Sequence, residues 1–272
     1  MNPILINFGN IQIRWYSVLI LIAFITAYFL IRKRCKKENV DVTLVSDLCC
    51  YLIIVAILGA RLYYCIFNLD YYLMDPISIF KIWEGGLAIH GGVIAGIIFC
   101  YFFTKKKQLD LLKILDIIAP ALVLGQAIGR WGNFFNSEAF GPETTLKVLK
   151  GLHIPKFIIE GMYIDGAYHH PTFFYESLAC IIIFTILIVF RNKMKKGQGT
   201  GTYFILYGII RFLIESLRQD SLMLGNLKVA QIVSLIAILV GIYLFIKPYL
   251  RSSHDKQKMG HSPKGRIKKR VF

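Results

Sequence analysis

The chain has 272 residues, of which 56% are apolar and 14% aromatic, and its formal net charge is +16. A soluble domain of this length has too small a core to hide so much apolar surface, whereas a bilayer accepts it directly. Because the basic residues form short clusters between apolar runs, we interpret them as cytoplasmic loops that face anionic bilayer lipid. We therefore predict a membrane protein and no nucleic-acid partner.

Seven apolar runs have about the length of one membrane span, roughly 20 residues. In chain order they cover Trp15–Ile31, Leu44–Phe67, Gly85–Thr104, Leu111–Arg130, Pro171–Phe190, Thr200–Leu217 and Val229–Ile246. The sequence therefore predicts an all-α membrane protein of about seven transmembrane helices, in which residues 1–250 form a single polytopic domain. No charged start with a small-residue cleavage site precedes the first run, so we expect it to be a retained span.

Lysine and arginine are concentrated in alternate connections between the runs. Basic clusters lie at residues 32–37, 105–107, 191–196 and 251–270. Because basic loops remain on the cytoplasmic side, this alternation predicts an N-terminus outside and a C-terminus in the cytoplasm. It also predicts an extracytoplasmic loop region at residues 131–170. Residues 251–272 are expected to be a basic, disordered cytoplasmic tail.

The cysteines and histidines do not form a metal-binding pattern. None of the six cysteines belongs to a C-x-x-C pair and five lie in apolar runs, so we interpret them as buried hydrophobic residues. His169 and His170 precede a proline in a loop, and no H-x-x-x-H spacing occurs. We predict neither a metal nor another cofactor.

The sixth run carries a polar stripe. Its members, spaced by four, four and three residues, are Tyr207, Arg211, Glu215 and Arg218. On a helix of 3.6 residues per turn these side chains share one face. Other charges inside the runs or at their edges are Arg61, Glu84, Arg130, Glu138 and Glu176. Because an arginine at the bilayer centre costs roughly 2.5–3.5 kcal/mol, we expect these groups to face a shared interior. They could serve only as helix–helix ion pairs, but an excess of positive charge would leave room for an anion.

A glycine-rich segment after the fourth run adds candidate polar groups. Residues 129–141 contain Arg130, Asn133, Asn136, Glu138 and Gly141. An arginine fork matches phosphate oxygens, asparagine supplies neutral donors and acceptors, and small residues allow a ligand to approach the backbone. The alternative is an ordinary loop rich in glycine and asparagine.

His90 lies between an apolar stretch and two glycines near the outer end of the third run. A neutral imidazole there could accept a proton, although a lone histidine often only satisfies a backbone carbonyl. The chain has no G-x-S-x-G motif, so we expect any nucleophile to arrive with the substrate.

Taken together, these motifs resemble the prolipoprotein diacylglyceryl transferase family. The resemblance rests on Gly-Arg-x-Gly-Asn-Phe-x-Asn-x-Glu at 129–138, His-Gly-Gly at 90–92, His-Pro-Thr at 170–172 and the stripe at 207–218. It extends from Trp15 and Tyr16 to Gln231. The chain departs from the family pattern at Phe173, where glutamine is typical, and at Glu84, where aspartate is usual.

The resemblance implies a multi-pass enzyme of the bacterial plasma (inner) membrane, with its active site toward the extracytoplasmic leaflet. Such an enzyme moves a diacylglyceryl group from phosphatidylglycerol to the lipobox cysteine thiol in the signal peptide of a prolipoprotein. The reaction makes a thioether, releases glycerol phosphate and is the first step of lipoprotein maturation. A transporter or channel, and a lipid-binding scaffold without chemistry, are the alternatives.

The resemblance also suggests roles for particular residues. Arg130 and Arg211 would hold the phosphate, and His90 would take the thiol proton, with Tyr16 or Tyr207 able to take part. The other substrate-binding candidates are Asn133, Asn136, Glu138, Gly141, Glu215 and Arg218. Among these, Glu215 and Arg218 would hold Arg211 in place.

Overall fold

The structure is a computed structural model that describes residues 2–9, 11–218, 223–225 and 227–260; for residues 8, 11, 84, 224 and 251–260 it describes the backbone alone. The helices in this part of the chain are α1 (Trp15–Lys37), α2 (Val42–Phe67), α3 (Leu69–Met74), α4 (Ile89–Lys106), α5 (Leu111–Phe135), α6 (Leu146–Gly151), α7 (Lys156–Gly161), α8 (Thr172–Val189), α9 (Gln198–Leu217) and α10 (Val229–Gly260). Short 3₁₀ turns cover Pro76–Phe80, Ile82–Glu84 and Arg191–Lys193.

Each of the seven predicted runs corresponds to one long helix. Five of these helices, α1, α2, α5, α8 and α10, are long and apolar enough to cross a membrane. The other two are more polar, because α4 ends in Lys105 and Lys106 and α9 carries Arg211 and Glu215. The chain is thus a mostly helical, multi-pass membrane protein. The count of seven spans and the orientation stay predictions.

The helix bounds differ from the predicted ones at functionally important places. The fourth run was predicted to end at Arg130, but α5 continues to Phe135, so Arg130 and Asn133 lie on a helix and not in a loop. The third run was predicted to begin at Gly85, but α4 begins at Ile89. Gly85 and Gly86 have φ values of 95° and 70°, which a right-handed helix does not allow. At the other end of the chain, α10 continues to Gly260, and residues 261–272 of the predicted tail lie outside the described residues.

The long helices pack in antiparallel pairs. Near the start of α1, Tyr16 lies against Gly132 near the end of α5, and further along Ala23 faces Gly125. In the same way, Ser177 near the start of α8 donates a hydrogen bond to the carbonyl of Ala127 on α5. The end of α5, the start of α8 and the end of α9 therefore share one end of the bundle, which we call the loop end. The opposite end, which holds residues 32–40 and 191–197, is the basic end.

Glycines allow two helix pairs to touch through their backbones. A Cβ atom on Gly91 of α4 would lie 2.3 Å from the carbonyl oxygen of Gly59 on α2. A Cβ on Gly201 of α9 would lie 2.8 Å from the carbonyl oxygen of Gly241 on α10. Such small-residue contacts are the usual means of close helix packing in a membrane, where burial of apolar surface adds little.

The loop end carries short antiparallel strands. Strands β1 (Ile4–Phe8) and β2 (Ile11–Arg14) form a hairpin before α1, and β6 (Met223–Leu224) pairs with β7 (Leu227–Lys228) before α10. Between α5 and α8, strands β3 (Glu143–Thr144), β4 (Tyr163–Ile164) and β5 (Ala167–His169) form a sheet in the order β3-β5-β4.

An apolar cluster joins this loop region to the bundle. Phe134 at the end of α5 stacks on Phe173 at the start of α8, with ring centroids 4.8 Å apart, and Trp131 lies 5.4 Å from Phe173. Leu149 and Ile158 from α6 and α7 are buried in the same cluster. Phe173, which stands where the family pattern has glutamine, thus supplies an aromatic ring to this core.

Candidate functional site

A buried carboxylate on α8 joins two arginines from two other helices. Oε1 of Glu176 lies 3.0 Å from Nη2 of Arg130 on α5, and Oε2 lies 3.4 Å from Nη1 of Arg211 on α9. The hydroxyl of Tyr207 donates to Glu176 Oε1 at 3.1 Å and accepts from Arg130 Nη2 at 3.3 Å. Further along α9, Arg211 Nη2 lies 2.7 Å from Oε2 of Glu215. We call these five residues the Glu176 cluster.

The cluster follows from helix periodicity and antiparallel packing. Tyr207, Arg211 and Glu215 are four residues apart, so the side chains lie on one face of α9, as the sequence predicted. Arg130 is in the last turns of α5 and Glu176 is in the second turn of α8, and both positions are at the loop end. The Arg211–Glu215 contact is an ion pair by distance, without the alignment of a hydrogen bond at Glu215 Oε2.

The net charge of the cluster is zero when its two arginines and two glutamates are all ionised. Two guanidinium groups face two carboxylates, so the excess of positive charge expected from the sequence is not present within the cluster itself. The arginines nevertheless keep donor capacity, because each guanidinium has five N–H groups. Their side chains remain 22% and 18% exposed, whereas the two carboxylate side chains are only 3% exposed. A ligand would therefore meet the arginines before the acids.

A second layer of side chains supports the cluster. The ring of Tyr203 stacks on that of Tyr207 at 5.6 Å, and the Tyr203 hydroxyl accepts a hydrogen bond from Gln126 Nε2 at 3.0 Å. Beside Arg130, the indole of Trp131 donates to Ser177 Oγ at 3.2 Å. These contacts fix the relative positions of α5, α8 and α9 around Glu176.

Sequence reasoning counted Glu176 among the intramembrane charges but gave it no role in the site. Its central position depends on which helices pack together, and no local pattern in the sequence shows that. Tyr203 and Gln126 were missed for a similar reason, although Tyr203 precedes Tyr207 by one helical turn and could have been placed on the same stripe.

Other predicted residues cluster at the end of α5. The backbone N–H of Glu138 donates to the carbonyl of Asn133 at 3.0 Å, and Asn136, the residue that caps α5, donates from Nδ2 to Glu138 Oε1 at 3.3 Å. Oδ1 of Asn136 is buried and has no hydrogen-bond partner among the described residues. Gly141 packs tightly: its N–H donates to the carbonyl of His170 at 2.9 Å, and a Cβ there would lie 2.9 Å from His170 Cβ.

Tyr16 is next to this region, whereas His90 lies beside α2 and Arg218 lies just beyond the end of α9. A Cβ on Gly132 would lie 2.4 Å from Cδ2 of Tyr16, so the tyrosine ring rests on the last turns of α5. His90 is in the first turn of α4, with its ring centroid 6.3 Å from that of Tyr63 on α2. Arg218 follows the end of α9, where its carbonyl accepts from Lys228 Nζ at 2.7 Å.

Arg61 has a separate, structural environment. Its buried guanidinium donates to the carbonyls of Ser78, Ile79, Gly85 and Gly86, and its Cζ lies 5.2 Å from the centre of the Tyr72 ring. Arg61 therefore organises the segment before α4. Within the part of the chain that the structure describes, no group of three or more histidine, cysteine, aspartate or glutamate side chains could hold a metal ion.

The fold and the cluster define a class: a polytopic membrane protein with paired arginines and glutamates where three helices meet. Comparison with known proteins then gives the family. The model of the family described as prolipoprotein diacylglyceryl transferase matches residues 3–247. The chain therefore belongs to the prolipoprotein diacylglyceryl transferase family, which confirms the resemblance of the motifs.

Several curated relatives carry the name phosphatidylglycerol–prolipoprotein diacylglyceryl transferase. One from Clostridium novyi (strain NT) is 47% identical over 253 residues, which cover 93% of this chain and 98% of the relative. Relatives from Staphylococcus xylosus and Listeria innocua are 44% and 43% identical, and each alignment covers 90% of this chain and 89% of the relative. The names of the family and of these relatives indicate that the chain is a transferase of lipoprotein biosynthesis.

Proposed function

We propose that this protein transfers a diacylglyceryl group from phosphatidylglycerol to the lipobox cysteine thiol of a prolipoprotein. The observation that carries the proposal is the Glu176 cluster, two partly exposed arginines held on one buried carboxylate, in a chain whose relatives are named for this reaction. Neither a transporter nor a passive scaffold is favoured by a comparable observation.

In the proposed reaction, the cysteine sulfur attacks the glyceryl carbon that carries the phosphate ester. A carbon–sulfur bond forms as the bond between that carbon and the phosphate ester oxygen breaks. The electron pair of the broken bond stays on this oxygen, which leaves as part of glycerol phosphate. The thiol proton passes to a base. No oxidant, reductant or nucleotide is consumed, and no cofactor enters the proposal.

Arg130 and Arg211 would bind the phosphate and stabilise the charge that it gains as it leaves. Charge-assisted hydrogen bonds from a guanidinium to a phosphate are stronger than neutral ones, and they act best where the donors are already oriented. Glu176 supplies that orientation, because it contacts both arginines from one buried position. Asn133, Asn136, Glu138 and Gly141 would shape the neighbouring surface.

His90 is the proposed acceptor of the thiol proton, with Tyr16 and Tyr207 as alternatives. Tyr207 already donates a hydrogen bond to Glu176 and accepts one from Arg130, which suits a positioning role. Glu215 would hold Arg211 through their ion pair, and Arg218 would act at the end of the same helix.

The proposal includes a topology. We infer seven spans in the bacterial plasma membrane, with the N-terminus outside, the loop end toward the extracytoplasmic leaflet and residues 251–272 in the cytoplasm. The basic clusters at 32–37, 105–107 and 191–196 support this orientation. Labelling of single cysteines from outside intact cells should modify positions in 136–170 and leave 105–107 unmodified; the opposite pattern would reverse the orientation.

A transfer assay with purified protein tests the activity. Phosphatidylglycerol labelled in its diacylglyceryl part is mixed with a lipobox peptide, and thioether product and glycerol phosphate are measured. We expect the two products in equal amounts, and no product with a peptide whose cysteine is replaced by serine. Binding of the lipid without either product would indicate a scaffold instead.

A further inference from the structure

The basic end of the bundle contains a second set of charged contacts, built around Glu38. This residue lies between α1 and α2, and its Oε1 accepts hydrogen bonds at 2.7 Å from Arg34 Nε and from Arg191 Nη2. Burial raises the pKa of Glu38, but the two arginines outweigh this effect and hold the pKa below its usual range. The carboxylate is therefore ionised at neutral pH, and its Oε1 is paired with both arginines.

Asp116 on α5 is the other acid at this end. Its buried carboxylate accepts from the backbone N–H groups of Gly197 and Thr200 at 2.7 Å each, and from Thr200 Oγ1 at 2.8 Å. Nη1 of Arg191 lies 3.4 Å from Asp116 Oδ2. Asp116 thus holds the first turn of α9, where unpaired N–H groups favour an acidic partner. Together with Arg34, Glu38 and Arg191 it forms what we call the basic-end cluster.

Two adjoining cavities lie beside this cluster. The first, of about 360 Å³, is lined by Glu38, Asp116 and the cations Arg34, Lys37, Lys113, Arg191 and Lys196; we call it the basic pocket. The second, of about 270 Å³, lies between α1, α5 and α8 and has apolar walls formed by Leu30, Ile117, Pro120, Ala121, Phe184 and Ile188; we call it the apolar groove. Arg34, Lys37 and Arg191 line both cavities.

The basic pocket has an excess of positive charge. Five cations face two carboxylates, and Asp110 forms an ion pair with one of the cations, Lys196. Two positive charges therefore remain unbalanced when all these groups are ionised. Among the described residues, neither Lys33 at the groove nor Lys37 takes part in an ion pair.

We propose that the basic end binds one anionic phospholipid, with its phosphate in the basic pocket and an acyl chain in the apolar groove. The excess charge matches an anionic headgroup, and the adjoining groove matches the chain that a free phosphate lacks. Basic pockets between membrane helices commonly bind lipid headgroups in this way. The site differs from the Glu176 cluster: Asp116 and Arg130 are 14 residues apart on α5, about 21 Å along the helix.

Native mass spectrometry of the full chain in a non-ionic detergent tests the proposal. Phosphatidic acid is titrated into the wild type, a Lys33→Gln/Lys37→Gln variant and a matched Lys105→Gln/Lys106→Gln control. The control lysines are exposed in the last turn of α4 and line neither cavity. We expect roughly thirtyfold weaker binding of one lipid in the first variant, since each lysine near a membrane surface contributes about fivefold. The control should match the wild type.

Several results would overturn the proposal. Equal binding by all three proteins would show that Lys33 and Lys37 do not hold a lipid, and equal weakening in both variants would indicate an effect of general surface charge. Phosphatidylcholine that binds as tightly as phosphatidic acid would remove the role of the anionic headgroup. Displacement of phosphatidic acid by millimolar inorganic phosphate would identify a site for free anions.

Discussion

The Glu176 cluster and the basic-end cluster both join α5 to α9, at opposite ends of the bundle, but they use different chemical groups. Among the described residues, the polar contacts of the Glu176 carboxylate are with side chains: two guanidinium groups and a phenol. Asp116 contacts the backbone at the start of α9 as well as the Arg191 side chain. One cluster therefore depends on side-chain conformations, and the other is part of the helix framework.

This difference suggests that the two clusters have different roles. A side-chain ion pair can exchange one of its partners for a ligand oxygen without any change in the backbone. The N–H groups of Gly197 and Thr200 lie at the buried start of α9. Loss of Asp116 would leave these N–H groups without a hydrogen-bond acceptor. We therefore expect substitutions in the Glu176 cluster to reduce activity and substitutions at Asp116 to reduce stability.

The largest effect is expected at His90, which lies outside both clusters. General-base assistance is typically worth about 10²–10⁴ in rate, so His90→Gln should lower turnover by that factor while lipid binding persists. A cysteine thiol has a pKa near 8.5, so higher pH should restore part of the rate as more thiolate forms. Turnover and lipid binding are measured from pH 6.5 to 9. A pH dependence equal to that of the wild type would leave the histidine with a structural role.

At Arg211 we expect a loss of about 10²–10³ in turnover when lysine replaces it. Lysine keeps the charge but loses the fork that contacts Glu176 and Glu215 and that we propose also binds the phosphate. One lost transition-state donor has about this effect. Arg61→Lys is the matched control, because Arg61 bonds backbone carbonyls away from the cluster. Its turnover per folded molecule should fall much less. Wild-type turnover of Arg211→Lys would exclude a specific phosphate clamp.

Glu176→Gln should lower turnover by roughly 10–100-fold, as often happens when a group that orients functional residues is lost. The amide still accepts a hydrogen bond but no longer offers charge to both Arg130 and Arg211. Steady-state kinetics with a lipobox peptide and thermal unfolding in the same detergent measure the two consequences separately. A large fall in unfolding temperature with unchanged turnover would make Glu176 a framework residue and would remove the contrast with Asp116.

The smallest effect on activity is expected for Asp116→Asn. Loss of a charged acceptor for buried N–H groups should lower the free energy of unfolding by about 1–3 kcal/mol. Turnover at a temperature where the protein is folded should stay near that of the wild type, because Asp116 is distant from Arg130. Thermal unfolding followed by fluorescence, together with the transfer assay, checks both parts. A specific loss of turnover would mean that the two ends of the bundle are coupled.

The sequence predicted the helices better than their contacts. Each apolar run became one helix, and the spacing of Tyr207, Arg211 and Glu215 placed them on one face. The end of α5 was placed too early because Gly132 and Asn133 read as loop residues, whereas Gly132 lies inside the helix and makes room for Tyr16.

The contacts between helices could not be read from local patterns. Asp116 was overlooked within an apolar run, since its partners lie at the distant start of α9. Arg61 was grouped with the other intramembrane arginines by its charge, but its partners are backbone carbonyls. In both cases the deciding contact joins parts of the chain that are far apart in sequence.

The pairing of α1 with α5 has a consequence for how the protein is made. Among the described residues, α1 packs mainly on α5 and much less on α2, although α2 follows it directly in the chain. During synthesis, α1 therefore has no main packing partner in the bilayer until α5 has been made as far as residue 135. A nascent chain that stops earlier leaves the Tyr16 face of α1 without that partner, so a quality-control protease should remove such fragments faster than the finished protein.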